Sequence, residues 1–209
     1  IAPLFTIQPL RWETPGLAAV DALLVTSANA VRHGGQELAR FTSLPCFAVG
    51  EASAAAALQA GFSRVAAGGA DGAAALRMAM RSGMRRILHV CGRDHVRIEH
   101  PGVSVIRRIV YAAEAVDQLP QEAAEASRSG AVALVHSARA ASHFALLLAQ
   151  SGLDRSRVSV AAISPAAAAA AGTGWKQVAS AADPRDEGLL ELAAKLCQTA
   201  RGETGNGDG

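Results

Sequence analysis

The sequence predicts an α/β fold with parallel sheets, arranged as two similar units, on three observations. Short apolar runs alternate along the chain with helical stretches of about 10–15 residues, the pattern of strands joined by crossover helices. One junction occurs twice: Ala22–Thr26 runs into Ser27 and a helix, and Ala131–His136 runs into Ser137 and a helix. The order of elements after each junction is also shared, which is the mark of an internal repeat. In the first half a strand ends at Gly50, and Ser53–Ala57 leads to Gly61-Phe62, Val65 and Asp71. In the second half a strand ends at Ser164, and Ala166–Ala171 leads to Gly174-Trp175, Val178 and Asp183.

Taken in order, Ala2–Ile7 reads as a strand that Gln8–Arg11 extends. Pro3 and Pro9 cannot donate to a ladder, so it lies at an edge or in a connector. Thr14-Pro15-Gly16 starts a short helix. Ala22–Thr26 is a buried strand, and Ser27 caps a helix running to Arg40, since a serine there accepts from free first-turn N–H groups. Cys46–Gly50 is a strand and Glu51–Ala60 its helix, with Gly61 past its end. Arg64–Ala66 is a short strand, Asp71 caps a helix to Ser82-Gly83, and Arg86–Cys91 is a strand that stops at Gly92-Arg93-Asp94. Val103–Ala113 is extended and β-branched but carries Arg107 and Arg108, so it reads as a partly solvated linker strand. A helix from Pro120 to Arg128, the second junction and a helix to Gln150 follow. Val158–Ile163 is a strand, Pro165–Ala171 a helix, Gln177–Ala179 a strand, and Asp183 opens the last helix, Arg185–Ala200. Residues 202–209 are polar and Gly-rich, which suits a disordered tail.

Composition excludes several classes. The formal charge of +2 and an aromatic content of 4% argue against a nucleic-acid partner. No apolar run reaches the ~20 residues of a membrane helix. Three isolated cysteines, Cys46, Cys91 and Cys197, suit buried thiols in a reducing, cytoplasmic setting. His89, His95 and His100 lack metal-ligand spacing, and His33 and His143 stand alone, so no metal is expected. There is no dinucleotide or phosphate-loop glycine pattern. With neither a signal peptide nor an initiator methionine, the sequence is expected to be a piece of a longer chain.

Strand ends that feed helix N-termini present free N–H groups, and this end of an open α/β sheet is where ligands bind. A ligand cleft between the two units is therefore expected. Ser27 and Ser137 are helix caps on the simplest reading. No Ser-His-Asp set supports a nucleophile, because His136 and Ser137 are sequence neighbours and point apart on a strand. Both serines, with Thr26, Asn29 and Ser53, can also serve an anionic ligand. So can the strand-end positions Gly50, Gly92 and Ser164. Arg93 and Arg139 follow strand ends and read as surface cations or as a rim for carboxylates. Tyr111 is the only tyrosine and reads as an interfacial ring with a wet hydroxyl.

Six segments together resemble the uroporphyrinogen-III synthase family. They are Thr26–Val31, Val49–Ala54 with Gly61-Phe62, Leu88–Arg93, Val110-Tyr111, His136–Ala140 and Gly174–Val178. The resemblance covers nearly the whole chain. It implies two flavodoxin-like parallel-sheet domains joined by a two-stranded antiparallel linker. The boundaries it implies are a middle domain of residues 13–102 and a terminal domain of residues 1–6 and 112–201. Residues 7–12 and 103–111 become the linker strands. It further implies a cofactor-free, metal-free monomeric lyase that closes hydroxymethylbilane to uroporphyrinogen III. That polyanion would meet Thr26, Ser27, Asn29, Gly50, Ser53, Gly92, Arg93, Ser137, Arg139 and Ser164, and Tyr111 would assist departure of its hydroxyl. Two departures stand out. The family's first strand, its Thr-Arg-Pro-like turn and its helix, an N-terminal βα unit, have no counterpart before Ala2 in this sequence, as expected of a piece of a longer chain. Ala167 stands where many members have threonine, so any hydroxyl role there is lost or moved to Ser164. A non-catalytic two-lobed module for small anions is the competing function, and a flavin or nucleotide binder a weaker third.

Overall fold

The computed structural model describes residues 2–69 and 71–204. It is an α/β fold with one mixed and one parallel sheet, and contacts divide the chain into two compact units, Ile7–Glu114 and Ile1–Thr6 with Ala115–Gly209.

Strands β1 (Phe5–Pro9), β2 (Ala22–Val25), β3 (Cys46–Ala48), β4 (Val65–Ala67), β5 (Arg86–Gly92) and β6 (Ser104–Ala115) form a sheet of order β1-β6-β5-β2-β3-β4, which belongs to the first of these units but for Phe5, Thr6 and Ala115. Strands β6, β5, β2, β3 and β4 are parallel. At the edge, Leu10 N donates to Val110 O at 2.9 Å. Counted along the chain, the parallel strands run 3-2-1-4-5. A flavodoxin-like sheet runs 2-1-3-4-5, so the strand order corrects that expectation; direction still reverses beside the first strand, at β2/β5.

Burial of both sheet faces explains the apolar runs. Leu23, Val25, Leu88 and Val90 face helices α1 (Ala28–Arg32) and α3 (Gly50–Gln59), while Ala22, Leu24 and Ile87 face α4 (Gly72–Arg81). The expected Ser27–Arg40 helix is broken: α1 stops at Arg32, and α2 (Gly35–Ala39) restarts after His33-Gly34. Gly35 has φ +70, a conformation glycine adopts without strain, and Trp12 Nε1 donates to the Gly34 carbonyl at 2.9 Å. Trp12 also stacks on Phe41, with centroids 6.5 Å apart. The Val103–Ala113 reading needs correction as well. Strand β6 lies inside the sheet between β1 and β5, and Val110 and Ala112 are buried, which the two arginines on the same strand disguise.

In the other unit, β7 (Val132–Val135), β8 (Ser159–Ala162) and β9 (Gln177–Ser180) form a parallel sheet. Helices α6 (Ala138–Gln150) and α7 (Pro165–Ala171) cover one face, and α8 (Asp186–Thr204) packs on the other through Leu189, Ala193 and Leu196. Helix α5 (Gln121–Ser129) precedes β7. Trp175 stacks on Phe144 at 5.6 Å, and its Nε1 donates to Ala171 O at 3.0 Å. Three expectations change here. Asp183 accepts from Arg185 Nε at 2.7 Å, and α8 starts at Asp186. Cys197 is exposed, because it follows Leu196 off the buried face of α8. Of the expected tail, residues 202–204 belong to α8, while 205–209 lie outside the described residues.

Candidate active site

The best-formed chemistry lies at the carboxyl ends of β2 and β5. Ser27 leaves β2 in extended conformation (φ −152°, ψ 136°) and caps α1, its Oγ accepting from Asn29 N at 3.2 Å. This satisfies one of the N–H groups that a helix start leaves free. The same Oγ accepts from the Tyr111 hydroxyl at 3.2 Å. Tyr111 stands on β6 opposite Gly92, where the register between β5 and β6 shifts. A Cβ at position 92 would come within 2.5 Å of Tyr111 Cζ. Only glycine lets the ring lie across that strand end. Arg93 N donates to Tyr111 O at 2.9 Å, and the His33 ring sits 6.3 Å from the tyrosine ring. Backbone, ring face and hydroxyl of Tyr111 are all held.

These groups border a cleft of about 410 Å³, lined by Thr26, Ser27, Gly92 and Tyr111 with Asp71-Gly72 and the His95–Ile98 segment. Asp71 caps α4, accepting from Ala74 N at 2.8 Å. Behind Thr26 lies His89, fully buried, with Nε2 at 3.3 Å from Thr26 Oγ1. Burial pushes the His89 imidazole down to about 4, with the nearby positive charges of His95 and Arg107 adding to the effect. The ring is therefore neutral near pH 7. His89 Nδ1 and Arg107 Nε are buried without a hydrogen-bond partner.

Of the residues singled out from the sequence, Thr26, Ser27, Gly92 and Tyr111 come together here. Asn29 contributes its backbone N–H to Ser27. Gly50 begins α3 with φ +74 and is exposed, while Ser53 is buried on the packed side of α3; neither lines this cleft. Arg93 pairs with Glu114 at 2.6 Å, half-exposed. In the other unit Ser137 Oγ accepts from Ala140 N at 3.1 Å and Ser164 Oγ from Ala167 N at 3.3 Å, at the carboxyl ends of neighbouring strands β7 and β8. The Arg139 guanidinium lies 4.6 Å from the Phe5 ring centroid. The sequence reading missed His89, Asp71-Gly72, His95 and Ile98 as parts of the site. One signal was available: His89 is the single polar residue in the apolar run Ile87–Cys91.

Among the described residues no three His, Cys, Asp or Glu side chains gather as a metal-ligand set. No helix among them is long and apolar enough to cross a membrane. What the cleft offers is the hydroxyls of Thr26 and Ser27 and one phenol, beside the carboxylates of Asp71 and Asp94, a set able to hydrogen-bond a polar ligand and to donate a proton.

A profile of the family described as Uroporphyrinogen-III synthase HemD matches residues 1–191. No curated protein sequence matches the chain. Among solved structures it is similar to uroporphyrinogen-III synthetase from Helicobacter pylori 26695, with TM-score 0.69 and 17% identity over 92% of this chain and 91% of that one. It is also similar to a mutant uroporphyrinogen III synthase from the extremely thermophilic bacterium Thermus thermophilus, with TM-score 0.49 and 16% identity over 94% and 88% of the two chains. The first structural likeness shows a shared fold. The profile spans most of the chain, and the chain belongs to the uroporphyrinogen-III synthase family, the cofactor-independent lyases that close hydroxymethylbilane in tetrapyrrole biosynthesis.

Proposed function

We propose that Tyr111 is the catalytic residue of this synthase and that Thr26, Ser27, Asn29, Gly50, Ser53, Gly92, Arg93, Ser137, Arg139 and Ser164 bind substrate. The carrying observation is the pinned Tyr111, whose hydroxyl reaches Ser27 at the cleft wall. The reaction removes the hydroxyl of the bilane's hydroxymethyl group. A proton from the phenol converts that oxygen into water as the C–O bond breaks, and the pyrrole nitrogen's electron pair fills the gap to give an azafulvene cation. The last ring attacks at its substituted carbon, forming a spiro intermediate that fragments and recloses with that ring inverted. Loss of a proton from the closed ring returns the phenol to its neutral form.

The carboxylates are met by strand-end hydroxyls and helix-start N–H groups, which favour anions over neutral ligands. Ser27 Oγ accepts from both Tyr111 and Asn29, so its own O–H is left to donate to the substrate. The two-domain arrangement, with a middle domain of residues 13–102 and a discontinuous terminal domain of 1–6 and 112–201, belongs to the same proposal. The contact division at Thr6/Ile7 and Glu114/Ala115 supports it. Three free thiols support a reducing cytoplasmic setting, and the protein acts there as a monomer.

Incubation with freshly made hydroxymethylbilane, oxidation and separation of the uroporphyrin isomers tests the activity. Isomer III in excess is expected. Isomer I alone, the product of unassisted closure, would leave a non-catalytic anion-binding module.

A further inference from the structure

We infer that His89 is a positioning residue: its Nε2–H donates to Thr26 Oγ1 and thereby turns the threonine's own O–H into the cleft as a donor for a substrate carboxylate. The inference rests on the proposed binding role of Thr26. His89 lies on β5 between Leu88 and Val90 and is fully buried, as are both neighbours. Its Nε2 is 3.3 Å from Thr26 Oγ1. A neutral imidazole carries one N–H, so the tautomer decides which of the two groups donates.

The surroundings of Nδ1 settle that choice. Nδ1 is buried with no partner, and so is Arg107 Nε. His89 and Arg107 are paired residues on adjacent parallel strands, so their side chains leave the sheet on one face. A guanidinium only donates. A bare Nδ1 lone pair on the same sheet face as that positive charge is favourable, whereas an Nδ1–H would be a buried donor with no acceptor, costing the full desolvation of that group. His95 offers no relief. Its Nδ1 is engaged with Gly92 O at 2.9 Å, and its ring meets His89 edge-on at 6.0 Å. The proton therefore sits on Nε2, Thr26 Oγ1 accepts, and the single threonine proton is free for the cleft that Thr26 lines.

Two measurements test this. Long-range ¹H–¹⁵N NMR of the full chain, without substrate, reads which ring nitrogen of His89 carries the proton. Nε2 is expected, and Nδ1 overturns the inference whatever the enzyme's activity. The second is a mutant cycle on hydroxymethylbilane turnover. Thr26→Val is expected to raise KM about tenfold, the size of losing one hydrogen bond to a charged group, with a smaller effect on kcat. His89→Leu should match it, and the double variant should be no worse than either single one. His89→Gln, whose amide N–H can take the place of Nε2–H, should recover most of the loss. Additive losses, or a fall in kcat at unchanged KM, overturn the inference. If His89→Leu does not fold, Thr26→Ser carries the kinetic arm: it keeps the hydroxyl and should bind like wild type, and a KM equal to that of Thr26→Val overturns the inference. Absence of isomer III from the wild type sinks the functional reading and leaves the tautomer result standing.

Discussion

Tyr111 owes its position to a neighbour with no side chain. With its ring held across Gly92, its O–H need only turn from Ser27 Oγ to the leaving oxygen, and the ring stays in place. General acid assistance is typically worth about 10²–10⁴-fold, so Tyr111→Phe is expected to lower turnover by at least roughly tenfold. Isomer III should persist, because the anchors fold the bilane; unchanged turnover would reduce Tyr111 to a wall of the cleft. Gly92→Ala should mimic that loss and destabilise the fold by about 1–3 kcal/mol, the usual cost of overpacking, since the new methyl would sit 2.5 Å from Tyr111 Cζ. His89 carries a pH signature. Its pKa is depressed from 6.5 to about 4 by burial, then by His95 and Arg107, so between those pH values the unfolded chain binds the extra proton. Its contribution is complete above about pH 6.5 and fades as pH falls toward 4, by up to about 3 kcal/mol at 1.36 kcal/mol per unit. Urea midpoints of wild type and His89→Leu compared across this window check it: the wild type should lose more on acidification. Ser27, Thr26 and Gly92 were legible around strand ends in the sequence, and Tyr111 as an interfacial ring. Their mutual contacts were not, because Tyr111 and Ser27 are 84 positions apart and meet only through the sheet register.

The elements were more legible than the contacts, because caps and helix ends are written locally. Helix α3 shows this at its end, where Phe62 N donates to Ala57 O and Gly61 N to Leu58 O, with Gly61 at φ +93. Asp71 likewise caps α4, whose Ala75, Leu76 and Ala79 cover one face of the sheet. Asp71→Ala is expected to cost about 1 kcal/mol and to lower the Tm by roughly 2–4 °C for a chain of this size, read by thermal circular dichroism. No change in Tm would show that the cap contributes nothing to stability. Two elements were misread for physical reasons. The helix after β2 breaks where Gly34-Gly35 follow one another, and apolar periodicity continues across the break. Strand β6 carries Arg107 and Arg108 yet is interior, since one of its sheet neighbours is the short edge strand β1.

For the molecule as a whole, a weak net charge of +2 must still serve a polyanion. Attraction then comes from local groups, the helix starts and strand-end cations, which salt screens over a length of roughly 10 Å at 0.1 M and 3 Å at 1 M. The dissociation constant for uroporphyrinogen III is expected to rise steeply with sodium chloride; a flat titration calorimetry series would contradict this. The two-unit organisation was legible through the repeated junction, whereas the strand order was not, because periodicity says nothing about which strands are neighbours. The two stacked indoles have a practical consequence. Trp12 belongs to one unit and Trp175 to the other, and the chain has no third tryptophan. Each unit thus carries its own fluorescent reporter, and Trp12→Phe or Trp175→Phe leaves one emitter to follow in urea. With separate apolar cores, the two emission curves are expected to have different midpoints, and superimposable curves would show that the units unfold as one.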